Sequence, residues 1–269
     1  MNVAQLTDPH IVPAGRAYFG IDTASFLEQA IAAVNALDPI PAYAVVTGDV
    51  ANSGGAAEYA RFREIMSALR VPYFVIPGNH DDREQMRAAL APETLGGSRA
   101  GRLHYAIEDF PVRLLALDGN AARPWPGAIL DAAALQWLDR TLAAGAGKAT
   151  IVAVHQPPFR TGLHYLDVGG FVPRHRLRRI VDAHPQVVRV ISGHIHCVRT
   201  ARWKSALAIT APSTAPQLVP LLFSRGRLAH IQHEQPGFAV HEVPENAAPA
   251  TTIYRRDRDG EYAVEAAHR

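Results

Sequence analysis

A chain of 269 residues, 48% hydrophobic and 19% charged, can bury one large core and is not disordered in composition. Its 27 basic and 25 acidic side chains leave a net charge of +2, which shows no polyanion-binding tract, and no apolar run approaches the ~20 residues that cross a bilayer. The opening Met1-Asn2-Val3-Ala4-Gln5 has neither the basic nor the apolar region of a secretory signal, and Cys197 stands alone, so a reducing cytoplasm is the expected compartment.

Along the chain, Val- and Ile-rich runs alternate with helical patterns. Strands are predicted over residues 3–7, 43–47, 73–76, 113–117, 150–154 and 188–192. The first helix places Leu27, Ile31 and Val34 on one face, with Thr23 or Ser25 as its cap. Further helices are predicted over residues 57–69, 131–143 and 174–183, and the alternation argues for an α/β sheet covered by helices. Beyond residue 198 the pattern changes to short strands at 199–203, 206–210, 227–232, 238–242, 251–256 and 261–265, punctuated by Gly226, Pro236-Gly237 and Asp259-Gly260. These predict a second, antiparallel sheet packed on or capping the first.

The polar residues of interest each follow a predicted strand. They are Asp8 and His10; Gly48-Asp49; Gly78-Asn79-His80-Asp81; His155; and Gly193-His194-Ile195-His196. Ligand sites in α/β sheets assemble at the carboxyl ends of strands, so five such ends are expected to deliver these side chains to one edge of one sheet. Imidazoles with carboxylates suit divalent Mn, Fe, Co or Zn. Seven candidate ligands exceed the needs of one tetrahedral ion and suit two ions sharing a carboxylate. Two divalent cations, less two carboxylates and a bridging hydroxide, leave a centre of about +1, which matches a singly charged phosphodiester. A dianionic monoester would be helped by an arginine, and none lies within these motifs.

In order and spacing, over about residues 1–215, these motifs resemble the signature of the calcineurin-like metallophosphoesterases. Within that superfamily, Leu6-Thr7-Asp8-Pro9-His10, Thr47-Gly48-Asp49-Val50, Pro77-Gly78-Asn79-His80-Asp81-Asp82 and His155-Gln156-Pro157-Pro158 most resemble the bacterial cyclic-nucleotide and glycerophosphodiester phosphodiesterases, the class III phosphodiesterases. The resemblance implies an α/β fold, a four-layer αββα sandwich of two mixed sheets flanked by helices, with a small C-terminal β-rich cap. It implies a catalytic domain over 1–215 and an extension over 216–269 that completes the second sheet or forms a cap or oligomer contact.

Carried over residue by residue, the resemblance implies two divalent metal ions, Mn2+ or Fe2+ foremost, with Co2+ and Zn2+ also accepted. Asp8, His10 and His196 would hold the first, Asn79, His155 and His194 the second, and Asp49 would bridge them. A hydroxide held there would attack phosphorus in line. His80 would stabilise the transferring group or protonate the leaving oxygen, or else orient its neighbours. Asn79, His80, Tyr18, His164 and Gln217 are the expected substrate contacts, with Arg16, Phe19 and Tyr165 beside them. Some relatives carry histidine where Gln217 stands, and a neutral amide orients a substrate but is a poor proton donor.

Val50-Ala51-Asn52-Ser53 also lacks the arginine by which Ser/Thr phosphatases of the superfamily grip phosphate. The implied protein is a binuclear phosphodiesterase of small diesters, free of membrane and nucleic acid and forming a homo-oligomer. Its alternatives are a nuclease, a phosphomonoesterase or a non-catalytic scaffold. The remaining histidines, His104, His175, His184, His230, His233, His241 and His268, read as surface or structural, and Cys197 as a buried thiol. Pro220-Leu221-Leu222-Phe223 reads as core, dimer interface or lid.

Overall fold

The structure, a computed structural model, describes residues 1–98, 100–121, 127–163, 166–167, 170–215, 217–224 and 227–268, and gives the backbone alone over 217–224 and 227–234. His164, Tyr165 and the side chains of Gln217, the 220–223 patch, His230 and His233 lie outside what it describes.

The strands that carry the motifs alternate with period two, yet both of their faces are buried. In β1 (Asn2–Leu6), Ala4 and Leu6 point to one apolar cluster and Val3 to another; in β2 (Tyr43–Val46), Ala44 and Val46 part from Tyr43 and Val45 in the same way. β5 (Arg113–Leu117) sends Leu114 and Ala116 to the cluster that holds Val3, and Leu115 and Leu117 to a third. A strand buried on both faces reads as a continuous apolar run, which is how these appear in the sequence.

Three apolar clusters therefore separate four layers. The first sheet runs β16-β15-β14-β1-β2-β3, with β3 at Tyr73–Val75, β14 at Gly237–Glu242, β15 at Ala250–Arg256 and β16 at Tyr262–His268. The second runs β10-β11-β9-β7-β5-β4, with β4 at Tyr105–Ile107, β7 at Thr150–Val154, β9 at Val187–Ser192, β10 at Thr200–Arg202 and β11 at Leu207–Thr210. Both sheets are mixed: β1, β2 and β3 are parallel while β14 is antiparallel to β1, and β5, β7, β9 and β11 are parallel while β4 and β10 are antiparallel at the edges. β6 (Ala128–Ile129) pairs with β8 (Phe171–Val172), and β12 (Gln217–Ser224) with β13 (Arg227–Glu234), as separate two-stranded sheets.

The four-layer αββα arrangement matches the expectation, but the assignment of strands to sheets does not. The six strands read as one sheet are divided three and three between two sheets, and the late strands, expected to form the second sheet, join both. Within the expected extension, the β12–β13 hairpin stands apart and β14–β16 complete the first sheet beside β1. The physical reason is that a doubly buried strand carries no mark of which neighbour it pairs with.

Helix α1 (Thr23–Asn35) covers the first sheet with Leu27, Ala30, Ile31 and Val34, and α2 (Ala56–Met66) adds Tyr59, Phe62 and Ile65. On the second sheet, α4 (Ala132–Ala144), capped by Asp131 through the Ala134 amide at 2.8 Å, packs beside α5 (Arg174–Ala183). α3 (Arg83–Ala89), unpredicted, is seven residues long and buries only Met86; Asp82 caps it by accepting from the Glu84 and Gln85 amides. The expected cap of α1 is corrected. Asp22 holds that position without a side-chain bond, while the Thr23 hydroxyl donates to the His10 carbonyl at 3.0 Å. No helix among the described residues is long and apolar enough to cross a membrane.

Candidate metal centre

The carboxyl ends of β1, β2 and β3 in one sheet meet those of β7 and β9 in the other, so the motifs converge across the seam between two sheets. Backbone bonds weave the turns together. The Asp8 amide donates to the Gly48 carbonyl at 3.1 Å, His10 to Asp49 at 3.0 Å and Gly193 to His155 at 2.9 Å. Asp8, His10, Asp49, His194 and His196 all take positive φ, between 42° and 69°. Side chains with a Cβ adopt this left-handed region at a cost of about 1–3 kcal/mol each, and they persist there where the surroundings hold them. Gly48, at φ +93°, leaves room that no other residue could: a Cβ there would stand 2.8 Å from both His155 Cγ and the Gly78 amide nitrogen.

Three groups of donor atoms result, each lying within 4.8 Å: Asp8, His10 and His196; Asp49, His155 and His194; and His10, Asp49 and His80. In the first, Asp8 Oδ1 is 3.3 Å and His10 Nε2 is 3.4 Å from His196 Nε2. In the second, His155 Nε2 is 3.3 Å from Asp49 Oδ2 and 3.2 Å from Asn79 Oδ1. His10 Nε2 is 3.6 Å from the same Asp49 oxygen, so one carboxylate faces both sets. Asp8, His10, Asp49 and His155 are buried, while Asn79, His80, His194 and His196 are partly open.

The tautomers point the right nitrogens inward. His155 Nδ1 donates to the Thr47 carbonyl at 2.7 Å, turning Nε2 to Asp49, and His80 Nδ1 donates to the Asn52 carbonyl at 2.7 Å. The His80 amide also donates to Asp49 Oδ1 at 2.8 Å. Burial pushes His10 down to about 4 and, with the His155 charge nearby, His194 down to about 3, so both are neutral donors at pH 7. At His155 burial is outweighed by Asp49 and Asp8, and its pKa is pushed up to about 9. Burial alone would raise both carboxyls, yet His196 and His155 hold Asp8 below its ordinary value, and His155 with His10 holds Asp49 well below.

This donor set fits divalent cations. The two ring nitrogens of His10 and His196 face one another, two buried carboxylates share their space, and among the described residues His10 Nδ1 has no hydrogen-bond partner to account for the ring's position. A cation bound there would take over the charge balance that Asp49 and Asp8 give His155 and would displace its proton.

Of the expected substrate contacts, Tyr18 is half-buried and stacks on His10, with ring centroids 5.3 Å apart and 3° between planes; burial and the two carboxylates raise its pKa. Phe19 packs edge-on to Tyr18 and is 79% exposed at the rim, and Arg16 is exposed. His104 accepts from the Asp118 amide, His184 pairs with Asp139, and Cys197 is buried against Leu163 and Ile195.

Several residues have supporting roles that the sequence reading did not assign, including Asp81 and Thr7, which it named within the motifs. Asp81 accepts from the Val50, Ala51 and Gly78 amides and the Tyr59 hydroxyl, at 2.8–3.1 Å, which ties the turn after β2 to the turn after β3. Burial, with Asp49 near, pushes it up to about 6. The Thr7 hydroxyl donates to Asp8 Oδ2 at 2.7 Å, and the Ser213 hydroxyl donates to the Asp8 carbonyl at 2.8 Å. Asn120 Nδ2 donates to the Gly78 carbonyl, and Arg83 forms a two-pronged pair with Asp118. The rule that found the ligands could have found Asp118-Gly119-Asn120, because this polar triplet also follows a predicted strand.

Residues 1–198 match the calcineurin-like phosphoesterase family. Over 265 residues the chain is 32% identical to a probable glycerophosphodiester phosphodiesterase, GpdQ, of Arcobacter nitrofigilis, covering 97% of this chain and 96% of that one. It is 28% identical over 258 residues to the 3′,5′-cyclic adenosine monophosphate phosphodiesterase CpdA of Escherichia coli, covering 95% and 90%. A dimetal phosphatase from Danio rerio superposes with a TM-score of 0.64 at 15% identity, over 98% of each chain, which is a likeness of fold. The donor groups, the αββα layers and these matches agree, and the chain belongs to the calcineurin-like phosphoesterase family.

Proposed function

We propose that the chain is a two-metal phosphodiesterase that hydrolyses small diesters, either 3′,5′-cyclic nucleotides such as cAMP or glycerophosphodiesters. Asp8, His10 and His196 hold one cation, Asn79, His155 and His194 hold the second, and Asp49 is common to both. The observation that carries this reading is the Asp49 carboxylate, whose Oδ2 lies 3.6 Å from His10 Nε2 and 3.3 Å from His155 Nε2. Imidazole with carboxylate accepts Mn2+, Fe2+, Co2+ or Zn2+, and the family resemblance puts Mn2+ or Fe2+ foremost. When bound, the cations supply Lewis acidity to the phosphoryl oxygens and make water acidic enough to ionise near neutral pH.

The residues do the rest. Water attacks phosphorus opposite the leaving alkoxide and gives up its proton to solvent; the new P–O bond forms as the old one breaks, and the alkoxide takes the Nε2 proton of a His80 ring that carries protons on both nitrogens and is reprotonated from solvent. That nitrogen is set by the bond from His80 Nδ1 to the Asn52 carbonyl. A diester is favoured over a monoester because Arg83, near in sequence to Asn79, is engaged by Asp118 and does not stand as a second charge for a dianion. The chain acts in the cytoplasm, which suits a protein whose one cysteine is a buried thiol.

The test compares hydrolysis of bis(p-nitrophenyl) phosphate with that of p-nitrophenyl phosphate, in Mn2+ and in chelator, followed by cAMP and glycerophosphoethanolamine. A chelator-sensitive preference for diesters is expected. Preference for the monoester would overturn the assignment.

A further inference from the structure

The layer between the two sheets is apolar, built from Val3, Tyr43, Val45, Ile191, Ala239 and Ile253. Through it runs one polar chain, Arg189, Thr251, His241, Gln5, whose members are between 0% and 3% exposed. Arg189 Nε donates to Thr251 Oγ1 at 2.9 Å, and that hydroxyl donates to His241 Nδ1 at 2.9 Å. His241 Nε2 donates to Gln5 Oε1 at 3.0 Å, and Gln5 Nε2 donates at 2.9 Å both to Thr47 Oγ1 and to the Ser192 carbonyl. Every bond has one donor and one acceptor only when His241 is neutral with its proton on Nε2. Burial and the Arg189 charge keep it so, pushing His241 down to about 3.

The two ends of this chain differ in kind. Arg189 and Thr251 are remote from the metal centre, whereas Gln5 ends on Thr47 and Ser192. Thr47 precedes Gly48-Asp49 in the first sheet, and Ser192 precedes Gly193-His194 in the second. Thr47 also accepts from His155 through its carbonyl. A single carboxamide therefore spans the two sheets at the end where each gives its ligands. An apolar side chain of the same length would fill this layer but leave the buried His241 Nε2–H without its acceptor, a cost that falls on stability. What the carboxamide adds is a fixed separation.

We propose that Gln5, oriented by His241, is a positioning residue that sets the spacing between the Asp49 turn and the His194 turn. The inference rests on the two-metal reading above. Gln5→Met keeps length and burial but removes both clamping donors, and His241→Leu keeps the clamp but frees Gln5 to rotate.

The experiment strips the full chain with chelator and titrates Mn2+ by calorimetry, with electron paramagnetic resonance of the loaded protein and a thermal melt alongside. Loss of residues that orient metal ligands costs about 10- to 100-fold in affinity. Gln5→Met should lose affinity in that range and alter the Mn–Mn exchange coupling, His241→Leu should fall between it and wild type, and the double variant should match Gln5→Met. A lower melting temperature with unchanged Mn2+ affinity and coupling would mean a structural role only and would overturn the proposal. If Gln5→Met does not fold, His241→Leu decides on the same two readouts. Failure of the wild type itself to bind two Mn2+ per chain would instead overturn the two-metal reading.

Discussion

Gly78 offers the sharpest test of how tightly the centre is built. It lies against the Asp49 turn, where a Cβ would stand 2.8 Å from Asp49 Cγ and closer still to Asp49 Oδ1 and its amide nitrogen. Neither side can yield freely. Asp49 is 2% exposed with Oδ1 accepting from the His80 amide at 2.8 Å, while the Gly78 amide donates to Asp81 Oδ2 at 2.8 Å. Relief from Gly78→Ala therefore requires the Asp49 carboxylate to move by about 1 Å, the difference between such a clash and ordinary contact. Overpacking of this kind costs about 1–3 kcal/mol of stability. Displacing a catalytic group by about 1 Å costs on the order of 100-fold in rate. The assay is hydrolysis of bis(p-nitrophenyl) phosphate after Mn2+ reloading, with metal content and urea unfolding measured on the same protein. Gly147→Ala is the control, because a Cβ there meets nothing within 4 Å. A Gly78→Ala protein with full metal uptake and a rate close to that of Gly147→Ala would refute the reasoning.

Asp49→Ala should lose metal from both positions and abolish turnover, and retention of one tightly held ion would show that its carboxylate is not shared. His80→Gln should keep its metal and slow most with the poorest leaving groups, so a loss that is uniform across leaving groups would remove His80 from proton donation. Phe19→Ala should lower kcat/KM about tenfold for cAMP, in line with the ~1–3 kcal/mol of base stacking, and leave glycerophosphoethanolamine unchanged; equal effects on both would place Phe19 outside the pocket. His241 has a folded-state pKa of about 3 against an ordinary 6.5, so below pH 6.5 the unfolded chain takes up a proton that the native one refuses. Stability from this group is complete above pH 6.5 and falls by about 1.4 kcal/mol per unit below it. The stability difference between wild type and His241→Leu, from urea unfolding, should therefore shrink by about 2 kcal/mol from pH 6.5 to pH 5; a difference that does not change with pH would count against the neutral histidine.

The ligand turns were legible because a strand end is marked twice, by the close of an apolar run and by the polar residues that follow it. Asp8, Asp49 and His194 all stand at such marks. The partition of strands between sheets was not legible, since Val45 and Ile151 face the same inter-sheet layer from opposite sides and read alike. Thr23 illustrates a second limit: a helix-start threonine was claimed by the His10 carbonyl, a contact between segments 13 residues apart that local rules do not weigh. Gln5 and His241 illustrate a third. Each is a buried polar residue among apolar neighbours, and only their placement in adjacent strands, with Gln5 opposite Ala239 and His241 opposite Val3, reveals them as partners.

β1 carries Asp8 and His10 on its end and lies between β2 and β14, with Asn2 opposite Glu242. During synthesis β2 follows soon after, but β14 emerges only once nearly the whole chain has been made. Until then one edge of the central strand stands open, with its backbone groups available to any other extended segment. Pairings between residues so far apart close slowly, and open strand edges invite association between chains. The return of the last three strands is thus the step at which newly made chains are most exposed to misassembly. A chaperone or a low growth temperature that delays collisions between chains should raise the yield of folded protein more than added metal does.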